Sequence, residues 1–188
     1  RLGGVIHTRR QDGCVLEEGA DAFVTDKSWA VELCRRLGLA DELIETRPEF
    51  RRSWIVRHGR LRPMPTGCYL IAPVTLGALM RLPISWSGKL RMACEPLVPP
   101  RRDQADESVA SFIRRRFGRE AFIRLGQPMV GGIYTTDAEQ LSMRAALPAF
   151  ADMERRAGSV WQGLRGEDRA HVARRVASVP RYSMFQTL

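Results

Sequence analysis

Arg1-Leu2-Gly3-Gly4 opens the chain, and after an intervening extended stretch comes Glu17-Glu18-Gly19-Ala20-Asp21-Ala22. Glycine lets backbone amides approach a pyrophosphate or a planar cofactor ring closely, and arginine offers forked donors to phosphate oxygens. A Gly-Gly turn leading into a strand carries the same pattern, so the run alone does not define a site. No G-x-G-x-x-G phosphate loop occurs in the 188 residues. A nucleotide held here would need that loop from a preceding segment, so the chain reads as an internal piece of a longer protein.

The other reactive side chains form no constellation. Cys14, Cys34, Cys68 and Cys94 make no C-x-x-C pair and have no metal spacing with His7, His58 and His171, so reduced, half-buried thiols and isolated histidines are expected, with no metal site. The net charge of +9 is spread over Arg35-Arg36, Arg51-Arg52, Arg101-Arg102, Arg114 to Arg116, Arg155-Arg156 and Arg174-Arg175. Such scattering reads as solvated helix faces, not as a nucleic-acid footprint. The most apolar stretch, Tyr69 to Met80, is broken by Pro73 and Gly77 and is too short for the ~20 residues that span a bilayer.

The elements that must position these residues change character along the chain. Val5 to Thr8 and Cys14 to Glu17 read as strands joined by the polar connection Arg9 to Gly13. Thr25 or Asp26 caps a helix with Ala30, Leu33 and Leu37 on one face, which Gly38 stops; a shorter turn covers Ala40 to Ile44. Ser53 to Arg57 and Arg60 to Arg62 bracket His58-Gly59 as a second hairpin. From Pro73 to about Leu164 helical periodicity dominates, punctuated by prolines and glycines. There Asp106 caps a helix burying Val109, Phe112, Ile113 and Phe117, with Arg114 to Arg116 in solvent and Gly118 as stop. Arg119 to Val130 turns Phe122, Ile123 and Leu125 to the core, Gly132 reads as a helix stop, Asp137 caps a turn into Leu141, and Ser142 to Arg155 forms another helix. Arg165 to Arg175 reads as an exposed helix or, preferentially, a linker.

Taken in order, Arg1-Leu2-Gly3-Gly4-Val5-Ile6, Glu17 to Phe23, Pro63-Met64-Pro65-Thr66-Gly67, Trp86-Ser87-Gly88-Lys89-Leu90-Arg91, Glu107 to Phe112, Gly131-Gly132-Ile133-Tyr134 and Leu141-Ser142-Met143-Arg144 resemble the oxygen-dependent, FAD-containing protoporphyrinogen oxidases of the flavin amine oxidase superfamily. The resemblance implies an α/β fold plus a helical domain: a partial, Rossmann-like FAD-binding unit lacking its first strand over 1–48 and a substrate-domain segment over 49–65. A mainly α-helical, membrane-associating and active-site-lining domain over 66–160 follows, then a charged return segment over 161–188. It implies removal of hydrogens from a porphyrinogen through FAD to dioxygen in haem biosynthesis.

Carried over residue by residue, Arg1, Gly3, Gly4 and Val5 fall on the FAD-lining motif. Gly19, Ala20, Asp21 and Ala22 stand where relatives have Gly-Pro-Asp-Ser beside the flavin. Gly132 matches a glycine whose carbonyl faces the substrate's pyrrole N–H groups, and Thr135-Thr136-Asp137 replaces Ala-Gly-Asp after it. Where some relatives pair an arginine with a substrate propionate this chain has Ser53, so Arg52 is the candidate for that charge, with a solvent-facing arginine as the alternative. Arg181 to Leu188 resembles an altered Gly-Gly-Met-Gln-Thr-Leu return to the FAD domain.

Tyr69 to Leu82, Ile84 and Trp86, with Arg81, Lys89 and Arg91, suit either docking on a membrane surface or a core helix with a basic rim. The implied partners are the porphyrinogen, dioxygen, a membrane surface and a second copy of the chain, without nucleic acid; the implied location is cytoplasmic or peripheral on the cytoplasmic membrane. Oxidation of coproporphyrinogen, a non-catalytic membrane-binding module and an amine oxidase on another substrate are the rival readings. The chain by itself is expected to be inactive, because it lacks the loop that would hold FAD tightly.

Overall fold

The chain divides into two compact units, one of residues 1–51 with 177–188 and one of residues 52–176. The computed structural model describes residues 4, 7–19, 22–24, 28–45, 53–103, 105–166 and 181–183. Helices and strands are mixed, and every strand pair among the described residues is antiparallel.

In the first unit, β1 (Thr8–Gln11) and β2 (Cys14–Glu17) pair from Thr8 opposite Glu17 to Gln11 opposite Cys14. Asp12 and Gly13 both take positive φ, 53° and 76°. That is the two-residue turn whose twist matches the flanking strands. It corrects the longer connection expected from sequence: two residues suffice to reverse the chain, so Arg9, Arg10 and Gln11 stay in the ladder. Strand Arg181–Ser183 lies between β3 (Ala22–Val24) and β4 (Ile44–Glu45) in one three-stranded sheet.

Helix α1 (Trp29–Arg36) begins after Ser28, which makes no side-chain cap bond; Thr25 and Asp26 lie outside the described residues. Gly38 stops it at φ 75°, its N–H bonded to the Arg35 carbonyl. The expected face is wrong, because Leu33 and Leu37 are 52% and 63% exposed while Cys34 is buried.

The second unit opens with the hairpin of β5 (Trp54–Arg57) and β6 (Arg60–Pro63), turned by His58 and Gly59 at φ 51° and 68°. The short pair β7 (Cys68–Tyr69) and β8 (Ala72–Pro73) follows. Among the described residues eight α-helices come next: α2 (Leu76–Arg81), α3 (Trp86–Ala93), α4 (Val109–Phe117), α5 (Arg119–Ala121), α6 (Gln127–Tyr134), α7 (Met143–Ala146), α8 (Pro148–Ala157) and α9 (Val160–Gly166). Val109, Phe112, Ile113, Leu125, Val130 and Leu164 are among the residues that form its core. Phe112 and Tyr69 both meet the Phe150 ring, edge-on and stacked.

Four expectations need correction here. Ser108, not Asp106, caps α4 by accepting the Ser111 N–H at 3.1 Å. Asp106 instead accepts from the Ser142 hydroxyl and the Arg144 N–H, bracing the start of α7. The helix expected over Ser142 to Arg155 breaks at Leu147, since the residue before a proline is pushed out of helical geometry; Leu147 sits at φ −130°, ψ 52°.

Ile123 is 52% exposed while Phe122 and Leu125 are buried. Finally, the Arg114 to Arg116 run is not uniformly solvated: Arg116 is 0% exposed and pairs with the equally buried Glu95. Glu95 also accepts from Ser159 Oγ, the Val160 N–H at 3.0 Å and the Trp161 N–H at 3.2 Å. Arg116 gives further bonds to the carbonyls of Val98 (2.8 Å) and Gly158 (3.0 Å). Buried charges persist only when paired and fully hydrogen-bonded, and this pair meets that condition.

Candidate functional site

The residues singled out by sequence fall in both units. In the first, the Glu18 N–H donates to the His7 carbonyl at 2.8 Å and closes the open end of the β1–β2 hairpin. Gly19 follows Glu18 directly, so the hairpin brings it to that end of the ladder. Gly4 is exposed at φ 53°, and a β-carbon built on it would meet no atom within 4 Å. Of the glycines singled out for a flavin nucleotide, Gly4 leaves its backbone open to close approach, as a flat or anionic group would require. In the hairpin, His7 Nδ1 and Glu18 Oε2 lie 2.8 Å apart, Thr8 Oγ1 donates to Glu17 Oε2 at 2.8 Å and Arg9 lies 3.3 Å from Glu18, while Glu17 Oε1 is buried with no hydrogen-bond partner among the described residues. Ala22 pairs with Ser183. Arg1, Gly3, Val5, Ala20, Asp21 and Arg52 lie outside the described residues.

In the second unit, Gly132 lies inside α6, not at its stop. The helix ends at Thr135, whose φ of 51° is left-handed and whose N–H donates to the Gly131 carbonyl at 2.9 Å. Gly132 therefore sits in the last turn, where carbonyls have no intrahelical donor, and it is exposed with open space around its α-carbon. A carbonyl so placed can accept an N–H from a bound ring. Asp137 makes the expected turn, its Oδ1 accepting the Glu139 N–H at 3.0 Å and its carbonyl the Gln140 N–H at 3.0 Å.

Upstream of α6, residues Phe122–Gly126 form a π turn, with the Gln127 N–H bonded to the Phe122 carbonyl. Pro128 has no N–H to give the Arg124 carbonyl four residues back, which favours such widening. The turn, β5 and Pro83 line a depression of about 270 Å³ whose walls include Val56, Arg57, His58, Ile123, Arg124 and Pro128. Arg57 donates through Nη1 to the Pro83 carbonyl, and Arg124 through Nε to Glu120 at 3.1 Å. Burial pushes the Glu120 carboxyl up, but bonds from the Ser85 hydroxyl and N–H, with Arg124 and Arg57 nearby, outweigh it and hold the group below its ordinary range.

Sequence reading missed Arg57 and Arg124, which it treated as a strand residue and as part of a core-facing helix. The separation of Arg124 from Pro128 was the available signal.

The flavin containing amine oxidoreductase family matches residues 1–181, and the chain belongs to that family. Its relatives include coproporphyrinogen III oxidase of Propionibacterium freudenreichii subsp. freudenreichii, 36% identical over 155 residues, or 82% of this chain and 29% of that protein. Coproporphyrinogen III oxidase of Bacillus subtilis (strain 168) is 31% identical over 189 residues, covering 100% of this chain and 40% of that protein. Chloroplastic protoporphyrinogen oxidase 1 of Spinacia oleracea is 33% identical over 164 residues, 87% of this chain and 28% of that protein. A crystal structure from Exiguobacterium sp. 255-15 superposes with TM-score 0.74 at 29% identity, over 88% of this chain and 37% of the other. The chain thus spans under half the length of these relatives. Family membership implies a flavin cofactor.

Proposed function

We propose that this chain is part of an FAD-dependent oxidase that converts protoporphyrinogen IX to protoporphyrin IX with dioxygen in haem biosynthesis. Oxidation of coproporphyrinogen III is the second reading, favoured by the names of the bacterial relatives. The observation that carries the proposal is the exposed Gly132 in the last turn of α6, where carbonyls lack an intrahelical donor, in a chain whose relatives are named as porphyrinogen oxidases. When bound, the flavin would supply the redox chemistry, and the protein would supply binding and orientation.

In this reading residues 1–48 belong to the FAD-binding domain, where Arg1, Gly3, Gly4 and Val5 line the diphosphate and Gly19, Ala20, Asp21 and Ala22 pass the flavin. Residues 49–65 belong to the substrate domain and 66–160 to the helical domain, with 161–188 returning toward the FAD domain. Gly132 orients the pyrrole N–H groups, and Arg52 faces a propionate. Dioxygen is the electron acceptor, and a second copy of the chain completes a homodimer.

Apolar residues left in solvent support attachment to a membrane surface. Leu76 and Met80 on α2 are 62% and 43% exposed, and Trp86 and Leu90 on α3 are 71% and 67% exposed. Each pair is spaced i, i+4 and so shares a helix face. Lys89 lies 4.7 Å from the Trp86 ring, a basic and aromatic pairing suited to an anionic headgroup layer. The inward side of the same stretch, Ile71, Ala72, Ala78, Leu79, Leu82 and Ile84, is core. No helix among the described residues is long and apolar enough to cross a membrane.

The test is porphyrin formation, followed by fluorescence, by the complete gene product loaded with FAD. Gly132→Ala is expected to raise KM without lowering the unfolding midpoint, since the new methyl meets only the substrate side. Failure of the wild-type protein to form porphyrin from either porphyrinogen would remove the proposal.

A further inference from the structure

We infer that Arg57 and Arg124 form a carboxylate subsite that receives an acid arm of the porphyrinogen, beside the ring-orienting Gly132. The inference rests on the porphyrinogen reading above and adds to it a second, separate anchor for the substrate's periphery.

The two guanidinium groups come from different elements, β5 and the π turn, and both line the same depression of about 270 Å³. Four buried side-chain nitrogen or oxygen atoms lack a hydrogen-bond partner among the described residues, and two of them are Arg57 Nε and Arg124 Nη1. An unmet buried donor is costly, and more so on a charged group. An anion entering the depression would supply the acceptor that both lack.

Charge points the same way. Glu120 is the acid that faces these arginines, and its oxygens already accept the Ser85 N–H at 2.9 Å, the Ser85 hydroxyl and Arg124 Nε. Held ionised, it offsets one of two cations, which leaves a net positive charge at the depression.

The walls select the rest of the ligand. Val56 and Ile123 are 69% and 52% exposed, and Pro128 adds a flat apolar surface. An acid carried on a short hydrocarbon arm from a flat apolar ring matches this mixture of two cations and aliphatic walls better than a hydrated inorganic anion does. The depression is sized for such an arm and a ring edge, not for a whole macrocycle.

Helix geometry supplies the connection to Gly132. Pro128 and Gly132 are i, i+4 neighbours in α6, on one face and about 6 Å apart along the axis. A macrocycle held at the Gly132 carbonyl would have to extend back over Pro128 to bring an acid arm to Arg124 and Arg57.

The experiment compares binding of protoporphyrin IX and of its dimethyl ester to the flavin-loaded complete gene product, by porphyrin fluorescence. Arg124→Gln is expected to weaken the free acid about tenfold or more and to leave the ester within about twofold, because a charge-assisted bond is lost only for the acid. Arg124→Lys is expected to retain most of the acid's affinity. Val56→Glu, at an exposed strand position, puts a competing carboxylate in the depression and is expected to weaken the acid alike, which keeps the test decisive should Arg124→Gln not fold. Unchanged acid binding in both variants, or equal weakening of acid and ester, overturns the subsite while leaving the porphyrinogen reading in place. Wild-type protein that binds neither porphyrin overturns both.

Discussion

Glu95→Gln is the substitution that most directly probes what holds the helical unit together. Glu95 is 0% exposed and accepts from Arg116 Nε at 2.7 Å, Arg116 Nη2, Ser159 Oγ, Val160 N and Trp161 N. The amide removes the charge that balances Arg116, itself 0% exposed, and turns an N–H₂ group toward donors. The carboxylate that remains for Arg116 is Glu154, 3.4 Å from Nη1 and already shared with Arg115 at 2.6 Å. Breaking one side of a buried ion pair costs about 3–5 kcal/mol, equivalent to a loss of amide protection of roughly 10²- to 5 × 10³-fold.

The assay is hydrogen exchange at the Val160 and Trp161 amides of the complete gene product, read beside Glu139→Gln. Glu139 pairs with Arg114 at the surface, 45% and 41% exposed, where a pair contributes about 0–1 kcal/mol. Glu95→Met with Arg116→Met completes the cycle and is expected to recover most of the loss, since an apolar pair of similar volume leaves no charge unpaired. A Glu95→Gln effect no larger than that of Glu139→Gln would refute the claim that this pair organises α4, α8 and α9.

Acid should loosen the same unit in a defined window. Burial pushes the Glu154 carboxyl up, yet Arg115, the Arg101 N–H and Arg116 hold it below its ordinary value of 4.5, as Ser85 and the nearby arginines do for Glu120. A depressed folded value means that the stabilisation is complete above about pH 4.5 and is lost as pH falls through the depressed values. Unfolding followed between pH 6 and pH 3 should therefore show stability falling only below pH 4.5, and a fall beginning near pH 6 would contradict it.

Gly163→Ala should cost about 1–3 kcal/mol by overpacking, because a β-carbon there lies 2.7 Å from Met153 Cβ and 3.2 Å from its Cα. Gly132→Ala serves as the neutral comparison in thermal unfolding. Trp86→Glu should reduce flotation of the complete gene product with anionic liposomes several-fold without changing its unfolding midpoint, and equal flotation would count against the membrane face.

The parts of this architecture that were legible in the sequence are those written by local chemistry. His58-Gly59 specifies a two-residue turn and its hairpin formed around it, whereas Asp12-Gly13 marked the first hairpin but not that the turn is only two residues long. Gly38 and Gly118 stop helices where periodicity ended. The failures share a cause: they depend on partners distant along the chain. Nothing around Arg116 distinguishes it from the exposed Arg114, because Glu95 and Glu154 meet it only through folding. Asp106 was read as a local cap because it precedes α4, but its acceptor capacity is used by Ser142 and Arg144, which reach it through the Ser108 to Ser142 bridge. The depression shared by Arg57 and Arg124 was not legible either, since no spacing rule joins a hairpin strand to a helix that widens.

That widening also explains the faces of α6, and it makes a last prediction. At about 100° per residue, an uninterrupted α-helix from Phe122 would turn Ile133 toward the same side as Phe122 and set Val130 near the edge. The observed order is reversed: Val130 is 0% exposed and Ile133 is 52% exposed. One extra residue in the π turn shifts the register back by about 100°, which seats Val130 and swings Gly132 away from the core toward open space. Two causes can hold that turn, the absent N–H of Pro128 and the burial of Val130. Full burial of a valine is worth about 1.5–3 kcal/mol, whereas a backbone hydrogen bond regained by alanine contributes a net ~1 kcal/mol. Core register should therefore win, so Pro128→Ala is expected to keep Val130 protected from exchange and to leave porphyrin affinity within about threefold. If Val130 instead becomes exchange-labile and porphyrin binding collapses together with it, the proline is what aims Gly132, and the packing argument for this segment is wrong.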